Sequence, residues 1–154
     1  MHSLVFALLL TTSSIDLSGY WLGESENRDR IFLTLRDDSG LYISLQQFLN
    51  DEEVEKWQYQ FGNWSFEGNI LKVNVIGGYS GGKMKLLKSC SGQEVTYELT
   101  SFDSRELIYK SYKSGEIYSV VNRVPQTDKD KISPSIIKQF KEKLVLHKNE
   151  CQKI

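Results

Sequence analysis

The sequence predicts an all-β fold: an antiparallel up-and-down meander of about 8–10 strands closing into a barrel, with one C-terminal α-helix packed on it. Three observations carry this. Apolar and polar residues alternate over much of the chain before residue 124, the period of a strand with one buried face. Clusters of Gly, Asn, Asp and Ser separate these stretches at short intervals, as the turns of a meander do. Both prolines lie beyond residue 123, so no predicted strand contains a residue that lacks a donor for the ladder. Aromatic residues make up 12% of the chain, which favours strands further.

The strands follow in order. Ile31, Leu33 and Leu35 share one face, and Asp38-Ser39-Gly40 turns the chain into Tyr42-Ile43-Ser44-Leu45. Trp57, Tyr59 and Phe61 line a further face. Past Gly62-Asn63 the large residues fall at Trp64 and Phe66, one position out of phase, which predicts a bulge or tight turn there. Glu67-Gly68-Asn69 leads into Leu71, Val73 and Val75, and Gly77 to Gly82 reads as a flexible loop before Met84-Lys85-Leu86-Leu87. Val95-Tyr97-Leu99, Leu107-Tyr109 and Ile117-Ser119-Val121 complete the series, with hairpin turns at Asp103-Ser104 and Lys113-Ser114-Gly115. An antiparallel sheet of this size removes its edges by closing on itself.

Composition then changes. Residues 126–131 are polar and read as a solvated linker, after which Ser133 can cap a helix with Pro134 at its first position. Ile136, Ile137, Phe140 and Leu144 recur at spacings of three and four, an apolar stripe that should dock on the barrel wall.

With 154 residues the chain has the length of one domain. Its predicted parts are a signal peptide over residues 1–14, the barrel over 15–124, and a linker, amphipathic helix and tail over 125–154. The leader has an apolar core, Leu4 to Leu10, and small residues Thr12 and Ser14 suited to cleavage before Ile15, although His2 stands where a basic residue is usual. A start-site artefact and an N-terminal strand on the barrel are the other readings of this stretch. Export would place the protein outside the cell or in a periplasm. The leader is too short to cross a bilayer, so no transmembrane segment is expected. Nineteen basic and twenty acidic residues give a net charge of −1, which excludes an electrostatic nucleic-acid binder and argues against an anionic membrane as partner. A monomer is expected.

Catalytic groups are sparse. His2 falls in the leader and His147 in the helix, where a solvated position is expected; the chain has no other histidine, so neither a metal cluster nor a Ser/His/Asp triad is expected. No enzyme activity, metal or cofactor is predicted. Asp51-Glu52-Glu53 with Glu55 reads as a polar loop, because the spaced ligands of a calcium loop are missing. Asn63-Trp64-Ser65 fits a glycosylation acceptor, but its aromatic neighbours predict burial. The two cysteines, Cys90 and Cys151, suggest one bridge in an exported protein and two free thiols in a reducing compartment. Such a bridge is worth about 4 kcal/mol in the chain-entropy account.

Gly19-Tyr20-Trp21, Arg123 at the end of the last strand and the helix after it together resemble the lipocalin family over residues 17 to about 150. The resemblance implies a barrel whose closed end is plugged by Trp21, with the Arg123 guanidinium packed over it as a structural contact. A tail-to-barrel disulfide is also familiar in that family. The family's second and third motifs are not found, and the strands look short, so the cavity is small or filled. Two functions fit. In the first, the interior binds a small hydrophobic molecule, with Trp57, Tyr59, Tyr97 and Tyr109 as inward aromatics that orient it. In the second, a filled barrel is a rigid platform whose loops, around Tyr79 or from Phe48 to Trp57, bind or inhibit a protein partner.

Overall fold

Nine antiparallel strands and two helices follow one another in the computed structural model, which describes residues 15–51 and 53–153. The predicted leader, with His2, and Glu52 of the acidic run lie outside these residues. The strands are β1 (Gly19–Ser25), β2 (Arg30–Arg36), β3 (Leu41–Asn50), β4 (Glu53–Glu67), β5 (Ile70–Ser80), β6 (Lys83–Leu86), β7 (Gln93–Phe102), β8 (Glu106–Ser111) and β9 (Ile117–Val121). Helix α1 (Gln126–Lys129) is a single turn and α2 spans Pro134–Gln152. The spatial order is β4-β3-β2-β1-β9-β8-β7-β5, and pairing of β4 with β5 closes these eight strands into a barrel. β6 is a ninth strand, paired with the last residues of β5.

Alternation along the strands sorts the side chains into two cores. Trp21, Phe32, Tyr42, Leu71, Val73, Val75, Leu107, Tyr109, Tyr118 and Val120 come from six of the eight barrel strands and pack in its interior. Leu33, Leu35, Ile43, Leu45, Tyr59 and Phe61 point outward from β2, β3 and β4, where Ile132 and Phe140 cover them. The helix docks as its stripe predicts: Ile136, Ile137 and Leu144 flank Phe140, whose ring stacks on Phe61 at 4.5 Å between centroids. Ser133 caps α2 by accepting from the Ile136 amide.

Strand β4 corrects the predicted phase slip. Its pairing with β3 is regular from Leu41↔Asn63 to Phe48↔Lys56, so the strand does not change phase at Gly62. The large residues change sides instead: Trp57, Tyr59 and Phe61 lie on the outer face, Trp64 and Phe66 against the interior. The irregularity belongs to the partner strand, where Phe61 faces Gly77 and Gly62 faces Val75, leaving Ile76 as the extra residue of a bulge. Gly77 to Ser80, read as loop, therefore continue β5, and the turn is confined to Gly81-Gly82. The predicted loop from Phe48 to Trp57 is likewise a two-stranded ribbon of β3 and β4. Asn63 and Ser65 are exposed, because only the alternate residue Trp64 turns inward.

The predicted linker is held to the barrel. Two outward tyrosines donate to its backbone, Tyr59 to the Lys131 carbonyl at 2.6 Å and Tyr20 to that of Ile132 at 3.3 Å. Cys90, in the loop after β6, bridges to Cys151 at the other end of α2 with their Cα atoms 5.6 Å apart. His147 is half-buried against this bridge, with Nε2 3.3 Å from the Ser89 carbonyl oxygen and the Cys151 sulfur about one turn along, so it is not the solvated residue expected. Replacing both cysteines by serine is expected to lower stability by about 2–4 kcal/mol, since the bridge closes 61 residues of chain. Guanidinium unfolding measures it; an unchanged midpoint would show that the unfolded chain gains nothing when the tie is cut.

Candidate ligand site

Inside the barrel the apolar wall carries a column of polar-tipped groups. Phe32, Thr34 and Arg36 alternate inward along β2, which places a guanidinium near the closed end. Residues 15–18 plug that end: the Leu17 carbonyl accepts both the Trp21 indole N–H at 3.0 Å and Arg36 Nε at 2.7 Å. Arg36 is 1% exposed, and its Cζ lies 5.8 Å from the Trp21 ring centroid and 6.0 Å from that of Trp64. Both are cation–π distances. Its Nη2 has no hydrogen-bond partner among the described residues. Burial holds the pKa of this guanidinium below its usual value, while the hydroxyls of Tyr109, Tyr42 and Tyr97 act in the other direction.

Tyrosine rings meet in the middle. Tyr97 meets Tyr109 edge-on at 5.1 Å and Tyr118 at 5.9 Å, and Tyr118 meets Phe32 edge-on at 5.3 Å. Burial pushes the hydroxyls of Tyr42, Tyr97 and Tyr109 up from the ordinary phenol range. Toward the other end Arg30 Nη2 donates to both carboxylate oxygens of Glu116, at 3.0 and 2.8 Å, and Tyr118 donates to the same carboxylate at 2.9 Å. On the neighbouring strands β3 and β4 the Gln46 amide donates to Gln60 at 3.1 Å. Arg30 is therefore neutralised in place, whereas Arg36 has no carboxylate partner among the described residues.

Tyr118 sets an alkaline limit to the fold. Burial, followed by its bond to Glu116, raises its pKa to about 12, against 10.0 for a free phenol. Folding thus favours the neutral ring, a contribution complete below pH 10 and lost as the pH rises from 10 toward 12. The melting temperature is expected to hold up to pH 10 and to fall above it, with phenolate absorbance of the interior tyrosines appearing only as the protein unfolds. Free titration of all eight tyrosines near pH 10 in the folded protein would contradict this.

The aromatics expected to line the site divide between the cores. Tyr97 and Tyr109 meet inside the barrel, whereas Tyr59 is clamped beneath the helix and Trp57 is 45% exposed on the outer face, edge-on to Tyr59 at 5.5 Å. The reason is strand parity: odd-numbered β4 residues face the helix. Gly19 and Trp21 begin β1 as expected, but Arg123 is exposed beyond β9 and the guanidinium over Trp21 comes from Arg36. Arg36, Tyr42, Tyr118, Arg30 and Glu116 were missed. For Arg36 the signal was slight: Ile31, Leu33 and Leu35 mark one face as apolar, Phe32 is the one large apolar residue at the other parity, and Arg36 shares the parity of Phe32.

Among the described residues no group of three or more His, Cys, Asp or Glu could hold a metal ion, and no helix is long and apolar enough to cross a membrane. No family model, curated protein or solved structure matches the chain.

Proposed function

We propose that this is an exported lipocalin-like barrel that binds a small hydrophobic molecule in its interior and has no catalytic role. The observation that carries the proposal is the interior itself: Tyr97, Tyr109 and Tyr118 present ring faces and hydroxyls along a column closed by Trp21, and Tyr97 is only partly covered although its strand position faces inward. Rings supply contact area and hydroxyls fix orientation, the usual division of labour in small-molecule sites. The disulfide supports passage through an oxidising compartment. The lipocalin resemblance is supported by the Gly19-Tyr20-Trp21 strand, a guanidinium over Trp21 and the C-terminal helix, with Arg36 in the role first given to Arg123.

A second function is favoured by a separate observation. Trp57, Leu86, Leu87, Val145 and Leu146 are exposed apolar side chains on the outer wall and helix, which suits a platform for a protein partner. Native mass spectrometry of the exported protein separates the two. A small-molecule adduct that disappears on denaturation is expected; a clean apo mass after exposure to lipid-rich extract would overturn the carrier in favour of the platform. The same spectrum reports loss of the leader.

A further inference from the structure

We propose that a second site lies outside the barrel, in the cleft between α2 and the wall of β4, β5 and β7, and that it binds a neutral polyhydroxylated molecule of disaccharide size. It is independent of the barrel interior and of any ligand there. Its floor follows from strand register. Asn63 of β4 lies opposite Asn74 of β5, and Asn74 lies opposite Glu94 of β7, so the three polar side chains stand in one row on the outer face. Further along the same face Ile43 and Phe61 form the apolar bed of α2, and the helix stripe that meets them ends at Leu144. The last turns of α2 therefore stand over a polar row that the stripe does not cover. Between them lies a cleft of about 790 Å3, bordered by the bridge from Cys90 to Cys151, a volume in the range of small-molecule sites.

The lining selects the ligand by hydrogen bonding and charge. Asn74 lines the cleft, yet its Oδ1 is buried with no hydrogen-bond partner among the described residues, an acceptor whose desolvation nothing offsets. Turned about its last torsion toward the cleft, this amide can take a hydrogen bond from a hydroxyl there. Lys141 is met by Asp37 at 3.5 Å, which leaves Lys148 on the helix and Glu94 on the sheet as one charge of each sign across the cleft. An anion is repelled by one wall and a cation by the other. Hydroxyls suit both walls, because each can donate to Glu94 or accept from Lys148 and the Asn63 amide. A zwitterion would also match the two charges, but the paired asparagines between them and the unmet acceptor favour a ligand with hydroxyls along its length. Among the described residues no aromatic ring lines the cleft, so a flat base has nothing to stack on, whereas Leu41, Ile76, Leu144 and Val145 offer aliphatic contact to the C–H face of a sugar ring.

The test titrates the disulfide-bonded protein with maltose and with trehalose, using diglycine as the zwitterionic comparison, and follows the side-chain amide resonances of Asn63 and Asn74. At least one disaccharide is expected to shift both amides saturably, with a Kd of about 10 mM or tighter, and to leave the ring resonances of Tyr97 and Tyr109 inside the barrel unmoved. N74L is expected to weaken that binding at least tenfold. If that variant does not fold, E94A, at an exposed position, is expected to weaken it several-fold in its place. The proposal is overturned by the absence of a saturable shift with either disaccharide, by diglycine binding as tightly as the better of them, by shifts centred on the interior tyrosines, or by affinity unchanged in the folded variants.

Discussion

Replacing Gly62 by alanine is expected to destabilise the protein by at least about 4 kcal/mol, enough to leave little of it folded. An added Cβ would overlap the Asn74 carbonyl oxygen and come within 2.8 Å of its carbon and 3.1 Å of the Ile76 amide nitrogen. These are backbone atoms of β5, and they cannot withdraw without opening the β4–β5 ladder that closes the barrel. The bulge at Ile76 brings the two strands this close, so a side-chain rotation offers no escape. Gly68, in the turn between the same strands, has open space around it but a φ of 65°. Alanine there is expected to cost only about 1–2 kcal/mol, from the left-handed backbone alone. Expression yield and guanidinium midpoints compare the two; similar losses would mean that turn strain, not close approach, governs this corner.

Phe140→Ala is expected to cost about 3–5 kcal/mol, a fall of roughly 10 °C or more in melting temperature for a chain of this size. Its ring lies parallel to Phe61, within 5°, and meets Tyr59 at 5.9 Å, and it is the one fully covered side chain of α2. Removing it leaves a cavity at the centre of the outer core. The barrel interior does not touch this ring, so interior tyrosine signals in the near-ultraviolet should survive at temperatures where the helix contact is lost. The disulfide keeps the end of α2 near the barrel in oxidising conditions, and addition of reductant is expected to deepen the loss. A melting temperature within a degree or two of the wild type would show that Ile136, Ile137 and Leu144 hold the helix without it.

What could be read before folding was whatever depends on near neighbours. Ser133 and Pro134 mark the start of α2 by chemistry that acts within one turn, and the strand at Leu71, Val73 and Val75 follows from period two. The assignment of faces was less legible. Period two says that Trp57, Tyr59 and Phe61 share a face, but not whether that face looks into the barrel or toward a helix more than seventy residues later. Tyr97 and Tyr109 face the interior, and among the described residues no helix packs outside β7 and β8, so their large residues turn inward. Arg36 escaped notice for the converse reason: a charged residue at the end of a strand ordinarily points to solvent, and its burial depends on a plug built from residues 15–18. Arg123 satisfied a positional pattern, and the observed contact with Trp21 was met by a guanidinium from another strand.

The two cores make the barrel wall unequal. Strands β2 to β4 are covered on both sides, by the interior and by α2, and the bridge from Cys90 to Cys151 holds that cover down. The β7–β9 arc has packing on its inner side and exposes Phe102, Ile117 and Val121 outside. A single-layered arc opposite a double-layered one separates more readily under thermal fluctuation, because fewer apolar contacts resist it. Breathing of this arc is therefore expected to exceed that of the covered half, and faster amide exchange in β7 to β9 than in β2 to β4 would show it.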